Sequence, residues 1–250
     1  MVSIEELPAL TAAELFTGSF ADVVGAAARS VILHGSLSAG GFRAGRSDID
    51  VLAVIAGGLA DAQVTALERL VRQADLGNAA GLDLHVVTAE VAAAPTRAPA
   101  LELHIGRYDR SSGECEVERR VAAFPDLPAE LSMARADGRA LRGAAPREVI
   151  AAVPAGWLVD RGRHWLRTWR SLTDDAGNAA FMALTACRIW RFAAENVHCS
   201  KGQAAEWALG RDPSLAAVRQ AVRQYERDGA SPVDERDLAV LLDTVLRETR

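Results

Sequence analysis

Leu33-His34-Gly35-Ser36-Leu37-Ser38-Ala39-Gly40-Gly41-Phe42-Arg43-Ala44-Gly45-Arg46-Ser47-Asp48-Ile49-Asp50-Val51-Leu52 is the stretch from which the rest of the chain can be read. A short β-branched run precedes it, so Gly35 and Ser36 end a strand and open a turn. Glycine at that point lets the backbone approach a phosphate closely. The exposed amides and the Ser36 hydroxyl can then bind phosphate oxygens. Ser47 adds a second hydroxyl just before an acidic pair, Asp48 and Asp50. Residues i and i+2 of a strand share a face, so both carboxylates converge while Ile49 and Val51 turn into the core. Two carboxylates side by side repel unless a cation lies between them. Mg²⁺ suits the place, because it takes oxygen ligands and shares them with substrate phosphates.

A third carboxylate follows in Gly81-Leu82-Asp83-Leu84-His85-Val86-Val87, an alternating strand with Leu82, Leu84 and Val86 on the face opposite Asp83. An aspartate inside such a strand is costly unless it faces a site or solvent. If this strand lies beside that of Asp48 and Asp50, the three form one cluster. Such a cluster can hold two metals, or one metal plus a general base. Taken singly, Gly-Ser is a turn, Asp-x-Asp a surface feature and Asp83 an edge charge. The order of the three, with Asp48 twelve residues after Ser36 (48 − 36), is what points to catalysis.

Working outward, residues 12–29 read as a helix, 30–34 as a strand, 35–47 as a loop, 49–55 as a buried strand, 61–74 as a helix, and 81–88 and 101–108 as strands. From about Asp126 onward strand signals stop. Amphipathic segments at 126–137, 155–172, 178–196, 201–209, 215–227 and 234–248 follow, punctuated by Pro146, Pro154, Pro213 and Pro232. The fold class expected is an α+β domain with a mixed sheet at residues 1–115, then an all-α bundle at 116–250. The border falls near 109–125, with Arg110, Ser111, Ser112 and Gly113 as a loop.

Half of the 250 residues are hydrophobic, 24% are charged and the net charge is −5, an ordinary globular composition. No apolar run approaches the roughly 20 residues that span a bilayer. The segment from Met1 to Leu10 carries Glu5 and Glu6 and lacks the order of a signal peptide. The expectation is a cytoplasmic protein with neither a membrane nor a nucleic acid as partner, since no basic stripe appears. Cys115, Cys187 and Cys199 show no CxxC spacing, which argues against a disulfide framework or a zinc site. The five histidines form no ligand pair of the HExxH kind and read as buried or solvated side chains.

The Gly-Ser, Asp-x-Asp and distant third carboxylate resemble the DNA polymerase β-type nucleotidyltransferase superfamily. Thr185-Ala186-Cys187-Arg188-Ile189-Trp190, followed by Ser200-Lys201-Gly202-Gln203-Ala204-Ala205-Glu206-Trp207, resembles the helical domain of the aminoglycoside adenylyltransferases that modify streptomycin and spectinomycin. The resemblance runs over nearly the whole chain. It implies ATP as co-substrate and Mg²⁺ as cofactor, with Gly35, Ser36 and Ser47 at the triphosphate. Asp48 and Asp50 match the metal ligands. Asp83 matches the catalytic base and is also a candidate metal ligand; the family carries a glutamate there. Arg188 and Lys201 match basic residues sent from the helical, nucleotide-closing domain to the phosphates, and Asp126 an acidic residue near the nucleotide. Trp169 and Asp174 match residues that hold streptomycin. Tyr108 stands for a tryptophan and Asn178 for a drug-binding aspartate, with Asp175 nearby to replace its charge.

The resemblance therefore implies transfer of AMP to a hydroxyl of an aminoglycoside-like small molecule, in a cleft between two domains, with antibiotic resistance as the outcome. Other acceptors, such as a lincosamide or a protein hydroxyl, remain open at this level, as does a non-catalytic nucleotide-binding regulatory module. A nucleic acid polymerase is disfavoured by the acidic balance. On residues alone, Trp169 also reads as core, Asp174 as a helix cap, and Ser200 as the cap of the helix that Lys201 begins.

Overall fold

A computed structural model describes residues 3–108, 113–226 and 231–250. The expected loop residues Arg110, Ser111 and Ser112, the helix end at Arg227 and the first residue Met1 lie outside this described set. The chain divides into two compact units, Met1–Val153 and Pro154–Arg250.

The first unit runs α1 (Leu7–Val24), β1 (Ala28–His34), α2 (Gly35–Ala39), β2 (Ile49–Ile55), α3 (Asp61–Gln73), β3 (Leu82–Thr88), α4 (Ala89–Ala93), β4 (Leu101–Arg107), β5 (Glu116–Val121), α5 (Leu127–Asp137), β6 (Arg139–Gly143) and α6 (Pro146–Val149). Pro8 opens α1, and Gly25, at φ +67°, ends it, which frees Ala28 and Arg29 for β1. The helix expected over 12–29 thus starts and stops about five residues early. Part of the expected 35–47 loop is the short helix α2.

The sheet has the order β5-β4-β3-β2-β1-β6 and is mixed. β2 and β3 are parallel; the other neighbours are antiparallel. Its outermost strands are the two that periodicity did not reveal. β5 reads Glu-Val-Glu-Arg-Arg-Val and β6 reads Arg-Ala-Leu-Arg-Gly, both charged and largely exposed. Edge strands carry such charges because one side of each has no partner strand. Because both strands are hydrogen-bonded into the sheet, the first unit reaches Val153, and the border expected near 109–125 falls inside it.

Each face of the sheet has its own core. Val31, Leu33, Val51, Ala53, Leu84 and Ile105 pack with Phe16 and Phe20 of α1 and Val64, Leu67 and Val71 of α3. Ile32, Leu52, Val54 and Val87 face the other way, against Leu127, Leu131 and Ala134 of α5. Strand alternation puts His34, Asp50, Asp83, His85 and His104 on that second face too, at the end where β2 and β3 begin.

Among the described residues the second unit is all-helical: α7 (Ala155–Arg170), α8 (Ala179–Glu195), α9 (Lys201–Arg211), α10 (Ala216–Glu226) and α11 (Glu235–Glu248). Ser200 caps α9 in a reciprocal box with Gln203, and Asp234 caps α11. Leu166, Trp190, Val218, Leu238, Leu241 and Leu242 fill its core. Among the described residues no helix is long and apolar enough to cross a membrane.

Candidate active site

The register of the sheet sets the site. His34, Asp50, Asp83 and Gly106 pair in succession across β1, β2, β3 and β4. Paired residues of neighbouring strands lie on one face, with the strands roughly 4.8 Å apart. Asp50 and Asp83 therefore stand side by side, and Asp48 precedes Asp50 at the head of the same strand. Two glycines make room for them. A Cβ on Gly35 (φ +64°) would lie 2.6 Å from the Asp50 carboxyl carbon, and one on Gly81 would lie 2.6 Å from Asp48 Oδ1. The Asp-x-Asp pair is thus seated against bare backbone on both sides.

Asp83 is held from β4. His104 Nε2 lies 2.7 Å from Asp83 Oδ1, and His104 Nδ1 lies 2.9 Å from Glu118 Oε2 on β5. Burial works against a charged His104, but the hydrogen bonds to Asp83 and Glu118 outweigh it and raise its pKa. Burial also pushes the Asp83 carboxyl up. The His104 hydrogen bond and the neighbouring imidazoles His85, His104 and His34 overcome this and hold it below the usual carboxylate range. His85 stacks on His104 with ring centroids 4.5 Å apart. Burial pushes it down to about 4, with the nearby carboxylates Asp83, Glu118 and Asp126 pulling the other way, so it is neutral at neutral pH. The Tyr108 ring folds over Gly106, where a side chain would collide with it, and its hydroxyl lies 3.4 Å from His104 Nε2. Burial, then Asp83, Glu116, Asp48 and Asp50, raise the Tyr108 pKa, so the phenol stays protonated.

Oxygen donors alone, on one face and with space cleared by glycine, fit Mg²⁺ well. Asp83, His85 and His104 also bring three ligand atoms within 4.8 Å of one another. These fit a metal poorly. Asp83 Oδ1 and His104 Nε2 are already joined in a hydrogen bond, and the two rings are stacked, 26° from parallel. Planes so arranged do not meet at one ion, whereas a metal must lie in the plane of each imidazole that binds it.

The other expected residues fall as follows. Ser36 lies in α2, and Ser47 Oγ accepts the Arg43 backbone N–H at 3.0 Å within the loop before Asp48. Asp126, expected in the helical half, is the residue before α5 in the first unit and acts electrostatically on His85. In the second unit Arg188 Nε donates to the Cys199 carbonyl at 3.1 Å, and the Lys201 ammonium sits over the rings of Phe181 and Tyr225. Trp169 is only 8% exposed and stacks on Trp165, a core position. Asp174 is exposed, and the residue directly before α8 is Asn178, which makes no capping hydrogen bond with its side chain; its amide donates to Asp175 Oδ2 at 2.7 Å. His85, His104, Glu118 and Gly81 escaped the sequence reading. The Asp83-x-His85 spacing was a usable signal; nothing local to residues 104 and 118 ties them to residue 83.

Comparison with known proteins agrees with this architecture. The sequence model of the aminoglycoside adenylyltransferase C-terminal domain matches residues 148–246. An aminoglycoside (3'') (9) adenylyltransferase of Klebsiella pneumoniae is 32% identical over 216 residues, covering 82% of this chain and 82% of that protein. One from Escherichia coli is 32% identical over 209 residues, covering 80% and 79%. The crystal structure of the spectinomycin adenyltransferase AAD(9) from Enterococcus faecialis with ATP and spectinomycin shares the fold, with a TM-score of 0.74 at 15% identity over 96% of this chain and 98% of that one. With a carboxylate row on a mixed sheet, a helical second unit and relatives matched along most of their length, the chain belongs to the aminoglycoside (3'') (9) adenylyltransferase family.

Proposed function

We propose that this protein transfers AMP from ATP to a hydroxyl of an aminoglycoside-type antibiotic, releasing pyrophosphate and conferring resistance. The observation that carries the reading is the direct pairing of Asp50 with Asp83 on parallel strands, beside Asp48, in a chain of this family.

Asp48 and Asp50 would hold Mg²⁺, with Asp83 beside them on the next strand; when bound, the ion would neutralise triphosphate charge and polarise the α-phosphoryl group. Gly35 and Gly81 keep the first two carboxylates at their posts. Ser36 and Ser47 belong to the segment that meets the triphosphate. Asp83, kept ionised by its neighbours, accepts the hydrogen of the attacking hydroxyl and aims its oxygen at the α-phosphorus. The oxygen–phosphorus bond forms as the bond to the β-phosphate oxygen breaks. Arg188 and Lys201 offset the charge gathering on pyrophosphate. Tyr108, a half-exposed ring beside Asp83, borders the place from which the acceptor hydroxyl arrives. Asp174 and Asp175 present carboxylates to a cationic acceptor. Each charged hydrogen bond of that kind contributes roughly 1.5–3 kcal/mol. Asn178 anchors Asp175 for this, and Trp169 supports the surface from the core.

The test is a panel assay: Mg-ATP with streptomycin, spectinomycin and further aminoglycosides, following pyrophosphate and the mass of the drug. A gain of one adenylyl group on at least one drug is expected. ATP binding without transfer to any of them would overturn the reading.

A further inference from the structure

We propose that His104 is a positioning residue of the transfer reaction: clamped by Glu118, it pins Oδ1 of Asp83 so that Oδ2 alone is presented to the acceptor hydroxyl. The inference rests on the functional reading above and deepens it.

A carboxylate turns easily about its last torsion, which is broad and two-fold. An Asp83 left to itself would offer either oxygen, in a range of directions. The structure removes that freedom with a chain of contacts across three strands. His104 meets Asp83 Oδ1 at 2.7 Å, and Glu118 meets the other ring nitrogen at 2.9 Å. His85, the register partner of His104, stacks on one side of the ring at 4.5 Å. The Tyr108 hydroxyl lies 3.4 Å from Nε2. His104 is therefore held at both nitrogens and against a second ring, and it is 7% exposed. A ring held this firmly acts as a fixed donor. The outer member, Glu118, is 46% exposed and sits on an edge strand, where a carboxylate has no need of a histidine for the stability of the fold. Charge-assisted hydrogen bonds of this length are also the stronger kind.

The experiment compares two amides that stand in for different halves of the imidazole. In His104→Gln the terminal N–H₂ reaches the place of Nε2 and can still donate to Asp83. In His104→Asn the shorter amide reaches only the place of Nδ1 and leaves Asp83 loose. Steady-state kinetics with the best aminoglycoside should show kcat down about 100-fold in His104→Asn, the usual consequence of a displacement near 1 Å, with partial rescue to within about tenfold of wild type in His104→Gln. KM for ATP and Mg-ATP affinity by equilibrium dialysis should stay within about threefold in both, since a positioning loss acts on the transition state. Glu118→Ala, a change at an exposed side chain that does not threaten folding, should lower kcat about tenfold, and Glu118→Gln, which still accepts from Nδ1, less.

Equal kcat in His104→Gln and His104→Asn, or Glu118→Ala at the wild-type rate, overturns the inference. If either histidine variant fails to fold, the Glu118 pair decides alone. Asp83→Asn separates the two layers. If that variant is dead while His104→Asn is fully active, only the clamp falls. If Asp83→Asn turns over normally, the functional reading falls and takes the clamp with it.

Discussion

Replacing Gly35 with alanine separates the cost of a strained backbone from the cost of a displaced carboxylate. Gly35 has φ +64°, and the added methyl carbon would lie 2.6 Å from the Asp50 carboxyl carbon, with Oδ2 nearer still. Ordinary contact begins at 3.4 Å, so the carboxyl carbon must retreat by at least 0.8 Å (3.4 − 2.6) and the nearer Oδ2 by more. The backbone strain costs roughly 1–3 kcal/mol. At roughly 2–4 °C per kcal/mol for a protein of this size, the melting temperature should fall by several degrees. The displaced carboxylate acts on the reaction, where an error near 1 Å removes about 100-fold in rate. Gly25→Ala is the control. Gly25 has φ +67° but nothing within 4 Å of its would-be Cβ, and it lies at the end of α1 away from the carboxylates. It should show a comparable drop in melting temperature and wild-type turnover. The assay is pyrophosphate release with Mg-ATP and drug, beside a calorimetric melt of each variant. Gly35→Ala with turnover close to that of Gly25→Ala would refute the claim that glycine is there to seat Asp50.

Asp48→Ala and Asp50→Ala should each reduce turnover to background while the melting temperature holds or rises, because removing one of two like charges relieves repulsion; near-normal turnover in either would end their assignment. Chelation with EDTA should abolish transfer and added Mg²⁺ restore it, with circular dichroism unchanged throughout. Trp169→Ala should cost about 3–5 kcal/mol and lower the melting transition of the helical unit, since the ring is a core member, whereas Trp169→Phe should cost far less; a change under about 1 kcal/mol in chemical denaturation would place Trp169 outside the core. His198 is half-buried against Phe192, and burial, aided by Arg188, pushes its pKa down to about 4. Its folded value lies below the unfolded one, so the unfolded chain takes up the proton first. That part of the stability is whole above about pH 6.5 and is lost as pH falls toward 4. His198→Gln should make the melting temperature less steep over that window.

Much of the architecture could be read locally. The strand over 49–55, the helices near 61–74, 155–172 and 178–196 and the final helix all appear close to where periodicity places them, because burial on one face imprints a repeat of 2 or 3.6 residues. The two edge strands could not be read this way. Glu116–Val121 and Arg139–Gly143 carry charges where a central strand carries valine, and only hydrogen bonds to β4 and β1 reveal them. The domain border was misplaced for the same reason.

The candidate site divides along the same line. Asp48, Asp50 and Asp83 were visible because the two-residue repeat of an extended chain decides which face a side chain takes, and that is a property of the backbone itself. Which strand lies beside which, and in what register, depends on pairs of segments distant along the chain. The meeting of Asp50 with Asp83, and of both with His104 and Glu118, arises from that register. So do the clearances at Gly35 and Gly81: a residue's need for bare backbone shows only once its neighbour has been folded against it.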